Sequence, residues 1–260
     1  MRIALTGSGG TGKTVTAMEI SRILNIPYVR SQARLVFERL GVSSIEKDQN
    51  QDPEKYLYAQ QQILDEQIKV EQEATSNSPK GWITERTVLD TAAYVAWWCS
   101  SMPLTGGRWR QRHEQIQNEC LRLVNQAVLH TASRPYDRVF VMPYGHIRLS
   151  SDLFRSGDAM YQRAIDLMIK GLTFQRLADR ATMVPTIDGT ETQVAQWIIE
   201  MCGMKVKVKP GGVVAESEAI LAEPLNSCVH CQVMGRMGRP IKRNSHWICE
   251  NCGNDVAEPA

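Results

Sequence analysis

The chain has 260 residues, 43% hydrophobic and 22% charged, enough for one large domain with a full core and a small appendage. No stretch approaches the roughly 20 apolar residues of a membrane span. The apolar run at 3–5 stops at a glycine-rich loop rather than continuing as a signal peptide, so the expected location is the cytoplasm, or a host's cytoplasm if the protein is viral. A net charge of +2 excludes a polycation overall, but the charge is uneven. Between positions 203 and 247, seven basic residues (Lys205, Lys207, Lys209, Arg236, Arg239, Lys242, Arg243) face three acids, Glu216, Glu218 and Glu223, and such a patch can attract a polyanion.

In chain order, residues 2–6 read as a short buried strand, 7–12 as a glycine-rich turn and 14–24 as a helix. Residues 27–30 look like a second strand. Asp52-Pro53 opens a long polar helix to about residue 74, and 76–81 is a loop by composition. Residues 82–84 form a short strand ending in Glu85-Arg86, followed by an apolar helix over 88–98. Trp109, His113, Ile116, Cys120, Leu123 and Ala127 recur at steps of three and four, one face of a helix. A strand at 138–142, a helix at 158–177, a strand at 183–187 and a closing helix at 190–201 complete the pattern. Strands alternating with helices imply a parallel sheet covered on both faces. Cys99, Cys120 and Cys202 lie in apolar, helix-like surroundings and read as inert thiols. Beyond 202 the texture changes: 203–225 reads as a linker, and 226–260 as a second unit.

Gly7-Ser8-Gly9-Gly10-Thr11-Gly12-Lys13-Thr14 fits G-x-x-x-x-G-K-T in full, after a strand and before a helix. Glycines let the backbone curl so that its N–H groups face phosphate oxygens. The helix N-terminus adds partial positive charge. Lys13 reaches the β- and γ-phosphates of ATP, and the Thr14 hydroxyl ligates Mg2+. The bland alternative is a glycine turn that happens to precede a lysine. Gly7, Gly9 and Gly12 also satisfy G-x-G-x-x-G, the dinucleotide fingerprint. Its usual ribose-binding acid is absent near Arg30-Ser31-Gln32, and Arg30 would suit the 2′-phosphate of NADP, but Lys13-Thr14 is then unexplained.

With this loop in place, roughly residues 1–200 resemble the P-loop nucleoside and nucleotide kinases, especially the NadR-like and phage-type ATPase/kinase group. The resemblance implies the P-loop NTPase fold, an α/β three-layer arrangement around a parallel sheet, and kinase activity. Trp82-Ile83-Thr84-Glu85-Arg86-Thr87, then Leu89-Asp90-Thr91, looks like the acid–arginine element of such kinases. Glu85 would hold a Mg2+-bound water or accept the acceptor's proton, and Arg86 would bind a phosphate or sugar oxygen. A surface ion pair at a strand end is the plainer reading. Residues 136–143, then Arg148 and Phe154-Arg155-Ser156, are similar to the family's strand and arginine-bearing lid. There Arg148 and Arg155 would stabilise the transferred phosphoryl charge, unless they are simply solvated loop arginines. One departure stands out: related kinases often carry a carboxylate after the second strand, where this chain has Ser31 or Gln32. Glu85 and Asp90 are the remaining candidates for a base.

Cys228-x2-Cys231 and Cys249-x2-Cys252, separated by 17 residues, have zinc-ribbon spacing. Four thiolates close a tetrahedral Zn2+ site that supplies the stability so small a unit lacks; His230 and His246 would not be ligands. Between the pairs, Arg236, Arg239, Lys242 and Arg243 with nearby Trp247 suit a DNA backbone and exposed bases, or merely solubilise a structural ribbon.

Three functions follow. The favoured one is an ATP-dependent kinase similar to the phage enzymes that phosphorylate 5-hydroxymethyluracil in DNA, with the ribbon bringing in the polymer. The second is a kinase of a free nucleoside or nucleoside monophosphate. The third is a non-kinase P-loop ATPase that binds nucleic acid.

Overall fold

A computed structural model describes residues 1–41, 52–101, 108–145, 158–187, 190–204, 240–243 and 246–249. Five parallel strands, β1 (Arg2–Thr6), β2 (Tyr28–Val29), β3 (Trp82–Thr84), β4 (Arg138–Val141) and β5 (Ala181–Met183), form one sheet in the order β2-β3-β1-β4-β5. The helices are α1 (Lys13–Leu24), α2 (Ala33–Arg39), α3 (Pro53–Asn77), α4 (Val88–Ser101), α5 (Arg108–Ala132), α6 (Ala159–Leu177) and α7 (Glu191–Met201).

Side chains alternate across a strand, and β1 shows the consequence. Ile3 and Leu5 join Ile83 and Phe140 under α1 (Ala17, Ile20, Ile23) and α7 (Ala195, Ile198, Ile199). Ala4 joins Trp82, Val139 and Ala181 on the opposite face, under Leu89 of α4, Leu177 of α6 and partly buried residues of α3. The result is the expected three-layer arrangement. Farther out, α3, α4 and α5 share a separate cluster that includes Leu64, Val95, Trp98, Ile116, Cys120 and Leu123.

The strand order discriminates between the two glycine-motif readings. In the dinucleotide-binding order 3-2-1-4-5-6 the first strand pairs with the second. Here β3 is inserted between them, and β1 pairs with β3 and β4. This is a P-loop arrangement, and the dinucleotide alternative loses its topological support.

Local chemistry explains the element ends. Asp52 caps α3 by accepting from Lys55 N at 3.0 Å, with Pro53 in the first turn, where its missing N–H costs nothing. Asp158 caps α6, accepting from Met160 N and Tyr161 N at 2.8 and 3.2 Å. The last strand of the sheet comes earlier than the sequence pattern suggests, at Ala181–Met183 rather than 183–187. Val184 N still reaches Val141 O, but Pro185 has no N–H with which to continue the ladder. Helix α2 was not expected. Of the three scattered cysteines, Cys120 is buried while Cys99 and Cys202 are half-buried. Burial pushes the Cys202 thiol up to about 12, in keeping with an inert role.

In the C-terminal part, β6 (Pro240–Arg243) and β7 (His246–Cys249) pair antiparallel, with Pro240 opposite Cys249 and Lys242 opposite Trp247. Cys228, His230, Cys231, Arg236, Arg239 and Cys252 lie outside the described residues, as do the linker from 205 onward and the two lid arginines, Arg148 and Arg155. Among the described residues no helix is long and apolar enough to cross a membrane.

Candidate active site

The carboxyl ends of β1 and β3 open into a cavity of about 540 Å³. One end is formed by residues 9–15 of the glycine-rich loop. The rest comes from Arg30 and Ser31 after β2, from α2, α3, α4 and the segment 85–87, with Tyr161 and Gln162 of α6 and Glu191 of α7.

Left-handed backbone angles form the loop: φ is +70° at Gly10 and +79° at Gly12, conformations only glycine adopts without strain. Gly7 has φ +137°, and a Cβ there would also stand 3.4 Å from Met142 O and 3.5 Å from Thr11 Oγ1. Lys13 folds back over the loop. Its Nζ donates to Ser8 O at 2.5 Å and Thr11 Oγ1 at 2.9 Å, and the side chain is almost wholly buried. Gly9 N donates to Gln162 Oε1 at 3.2 Å.

Glu85 follows the last residue of β3. Because β3 lies beside β1, its carboxylate reaches the start of α1, where Thr14 Oγ1 donates to Oε2. Its other oxygen, Oε1, accepts from Ser31 N at 3.1 Å. The carboxylate that the sequence lacks after β2 is therefore supplied to that place by the neighbouring strand. Burial pushes the Glu85 carboxyl up, but the hydrogen bonds from Thr14 and Ser31 and the charge of Arg86 outweigh it and hold it below the usual carboxylate range. It is ionised at neutral pH. Thr14 and Glu85 present two hard oxygens side by side, the donor chemistry that Mg2+ takes. With the loop N–H groups, Lys13 and the α1 N-terminus, the residues present fit a Mg2+-bound polyphosphate.

Asp90 has a different geometry from Glu85. It is 1% exposed. Oδ2 accepts from Thr6 Oγ1 at 2.7 Å and from both Thr87 N and Thr87 Oγ1 at 2.9 Å, while Oδ1 accepts from Arg86 at 3.0 Å. Thr87 and Asp90 close the first turn of α4 as a capping pair. Asp90 has the surroundings of an anchor, not of a base with a lone pair open to an acceptor. Arg86, held by Asp90, lies over the Tyr94 ring at 5.5 Å.

Two features of the wall carried no motif. Gln60 of α3 is 5% exposed and lines the cavity, and its amide makes no hydrogen bond to another described residue. Gln67, one face-repeat along the same helix, donates to Glu71 Oε1 and Thr84 Oγ1 at 2.9 and 3.2 Å and accepts from Gln32 N at 3.4 Å. Phe37, Tyr56, Ile63 and Tyr94 supply apolar and aromatic surface around them. Only the helical periodicity of 53–77, which puts positions 60, 63, 64 and 67 on one face, could have pointed to these amides.

Residues 2–185 match the AAA domain family. The chain belongs to that family. No curated protein sequence matches it. Among solved structures, the NadR protein in complex with NR is 16% identical, with a TM-score of 0.50 over 79% of this chain and 52% of that one; the chain thus spans about half of NadR. Deoxyadenosine kinase from M. mycoides with dCMP and dCDP bound is 15% identical, with a TM-score of 0.48, covering 77% of this chain and 97% of that one. Shikimate kinase from Aquifex aeolicus is 15% identical, with a TM-score of 0.40 over 77% and 95%. The likeness to NadR is one of fold.

Proposed function

We propose that this chain is an ATP- and Mg2+-dependent kinase that moves the γ-phosphate to a hydroxyl of a nucleotide-type acceptor. The observation that carries the reading is a single cavity with two chemically different ends. At one end the phosphate loop, Lys13, Thr14 and an ionised Glu85 converge. At the other, Gln60 offers an amide among Phe37, Tyr56, Ile63 and Tyr94. An amide donor–acceptor pair inside an aromatic-lined wall suits the edge and faces of a nucleobase. A hydrolytic ATPase needs only the first end.

In this reading residues 7–14 bind the phosphates, with Lys13 at the β- and γ-groups. Phosphoryl transfer is mainly a matter of positioning and charge, and Lys13 and Arg86 provide positive charge around the transferred group. Arg148 and Arg155 do the same from the lid. Glu85, standing between Thr14 and Ser31, would hold a Mg2+-bound water or take the acceptor's proton. Asp90 fixes Arg86 and the start of α4. Mg2+ held by Thr14 would neutralise phosphate charge and orient the triphosphate.

A free nucleoside or nucleoside monophosphate fits such a cavity directly. A second acceptor, 5-hydroxymethyluracil in DNA, is favoured by the basic stretch Arg236, Arg239, Lys242 and Arg243 beside the four cysteines, and would require the base to leave the stack. In that form of the proposal Cys228, Cys231, Cys249 and Cys252 hold one structural Zn2+, and metal analysis of reduced protein should find one zinc per chain. The experiment that tests the whole reading supplies γ-labelled ATP with free nucleosides, nucleoside monophosphates, plain DNA and hydroxymethylated DNA. Label on any nucleotide-type acceptor supports the kinase, and the labelled arm names the acceptor. Label released only as inorganic phosphate in every arm would overturn it in favour of an ATPase.

A further inference from the structure

The peptide group between Ser8 and Gly9 is held from both sides. Its carbonyl accepts from the Lys13 ammonium at 2.5 Å, and its N–H donates to Gln162 Oε1 at 3.2 Å. Gln162 comes from α6, 153 positions along the chain, and is 2% exposed. Its place is well anchored. Asp158 caps the helix one turn earlier, and the adjacent Tyr161 packs edge-on against Trp97 of α4, ring centres 4.6 Å apart.

An amide whose N–H donates becomes a better acceptor at its carbonyl, because each hydrogen bond in a chain polarises the next. Orientation matters as much. Glycine at position 9 leaves the preceding peptide free to rotate. If that peptide turned over, it would present its N–H, not its oxygen, to the ammonium. Gln162 can bond the N–H only in the orientation that gives Lys13 its acceptor. The side chain therefore acts on Lys13 through the peptide.

We propose that Gln162 is a positioning residue for Lys13, fixing through the Ser8–Gly9 peptide where the ammonium meets the triphosphate. The inference rests on the reading of residues 7–14 as the ATP site. It also makes α6, through one side chain, part of the phosphate-binding apparatus.

A double-mutant cycle in ATP binding tests it, with the full chain and Mg2+, by calorimetry. The four proteins are wild type, Gln162→Met, Lys13→Met and the double variant; methionine keeps the length of each side chain and removes its polar atoms. Gln162→Met should weaken ATP binding about tenfold, the scale of one lost hydrogen bond, when Lys13 is present, and less than about twofold in the Lys13→Met background. Coupling of that kind is what a shared pathway produces. A purely structural role would give equal losses in both backgrounds, and that result overturns the proposal, as does no loss in the single variant. If Lys13→Met alone leaves ATP binding intact, the ATP-site reading itself has failed and the inference falls with it. Thermal melts check folding of each protein. Should Gln162→Met not fold, Gln162→Ala carries the same cycle, because alanine is the best helix former.

Discussion

The two ends of the cavity are built in opposite ways. The phosphate loop is shaped locally: Lys13 bonds to Ser8 and Thr11, five and two positions away, and the glycine angles that shape it belong to the same eight residues. Glu85 and Gln162 reach it from 71 and 153 positions away, at Thr14 and Gly9. The acceptor end is assembled from distant segments. Gln32 meets Gln67 across 35 positions, Gln67 meets Thr84 across 17, and Tyr136 meets Glu71 behind the wall across 65. A site whose partners are close in sequence is specified by local backbone chemistry and survives in almost any sheet that presents it. A site whose partners are far apart depends on strand order, and its specificity can change by altering one helix face. In the proposed reading, the comparison separates the residues that would bind the nucleotide from those that would choose the acceptor.

Mutations at each end should have separable effects. The largest belongs to the phosphate end. Lys13→Ala should lower phosphoryl transfer by at least about 10²–10³-fold, the scale of losing one transition-state charge contact, with far-UV circular dichroism unchanged. Near-wild-type turnover would break the assignment of that end. Next comes the hinge between the ends. Asp90→Ala removes the ion pair with Arg86 and three other hydrogen bonds. Breaking a buried pair from one side costs about 3–5 kcal/mol, so urea unfolding should show a loss of that order. If stability is unchanged while turnover collapses, Asp90 is catalytic and not an anchor.

A smaller and more selective effect is expected at the acceptor wall. Gln60→Leu should raise the KM for the acceptor about tenfold, the cost of one unmade hydrogen bond. Neither the KM for ATP nor the melting temperature should shift appreciably. A matching rise in the KM for ATP would place Gln60 at the wrong end of the cavity.

The smallest effect lies behind the wall. Glu71 is buried and accepts from Tyr136 Oη at 3.0 Å and from Gln67. Burial pushes its carboxyl up despite the hydrogen bonds from His130, Gln67 and Tyr136. A carboxyl raised on folding binds its proton more tightly in the folded chain. Its contribution is therefore fully present below the unfolded value of about 4.3 and is lost as pH rises through the folded value. Glu71→Gln should make the fall of stability with rising pH shallower above about pH 4.3, as read from urea midpoints across a pH series. A steeper fall would mean that the carboxylate form is the one the network prefers.

Much of the fold was legible because its signals are local. The phosphate loop, the Asp52-Pro53 start of α3 and the alternation of strands with helices all rest on neighbouring residues. Helix α2 was not legible, being seven residues long, too short to establish a period. The end of β5 was misplaced because Pro185 stops the ladder where hydropathy alone continues. Asp90 sits in Thr87-x-x-Asp90 before an apolar run, which is also the signature of a helix cap, so its residue type alone does not separate a base from an anchor.

The sequence by itself determined the glycine-rich loop, because its glycine φ angles, and a lysine and a hydroxyl at the start of a helix, are set by neighbouring residues. Tertiary structure alone decided three things. It set β3 beside β1, which brings Glu85 to Thr14 and Ser31. It turned Gln60 into the cavity and Asp90 into a hydrogen-bonded anchor. It also carried Gln162 from α6 to the peptide that holds Lys13. Each of these depends on the order in which the strands pair, and pairing order is a balance of burial over the whole sheet that no short segment encodes.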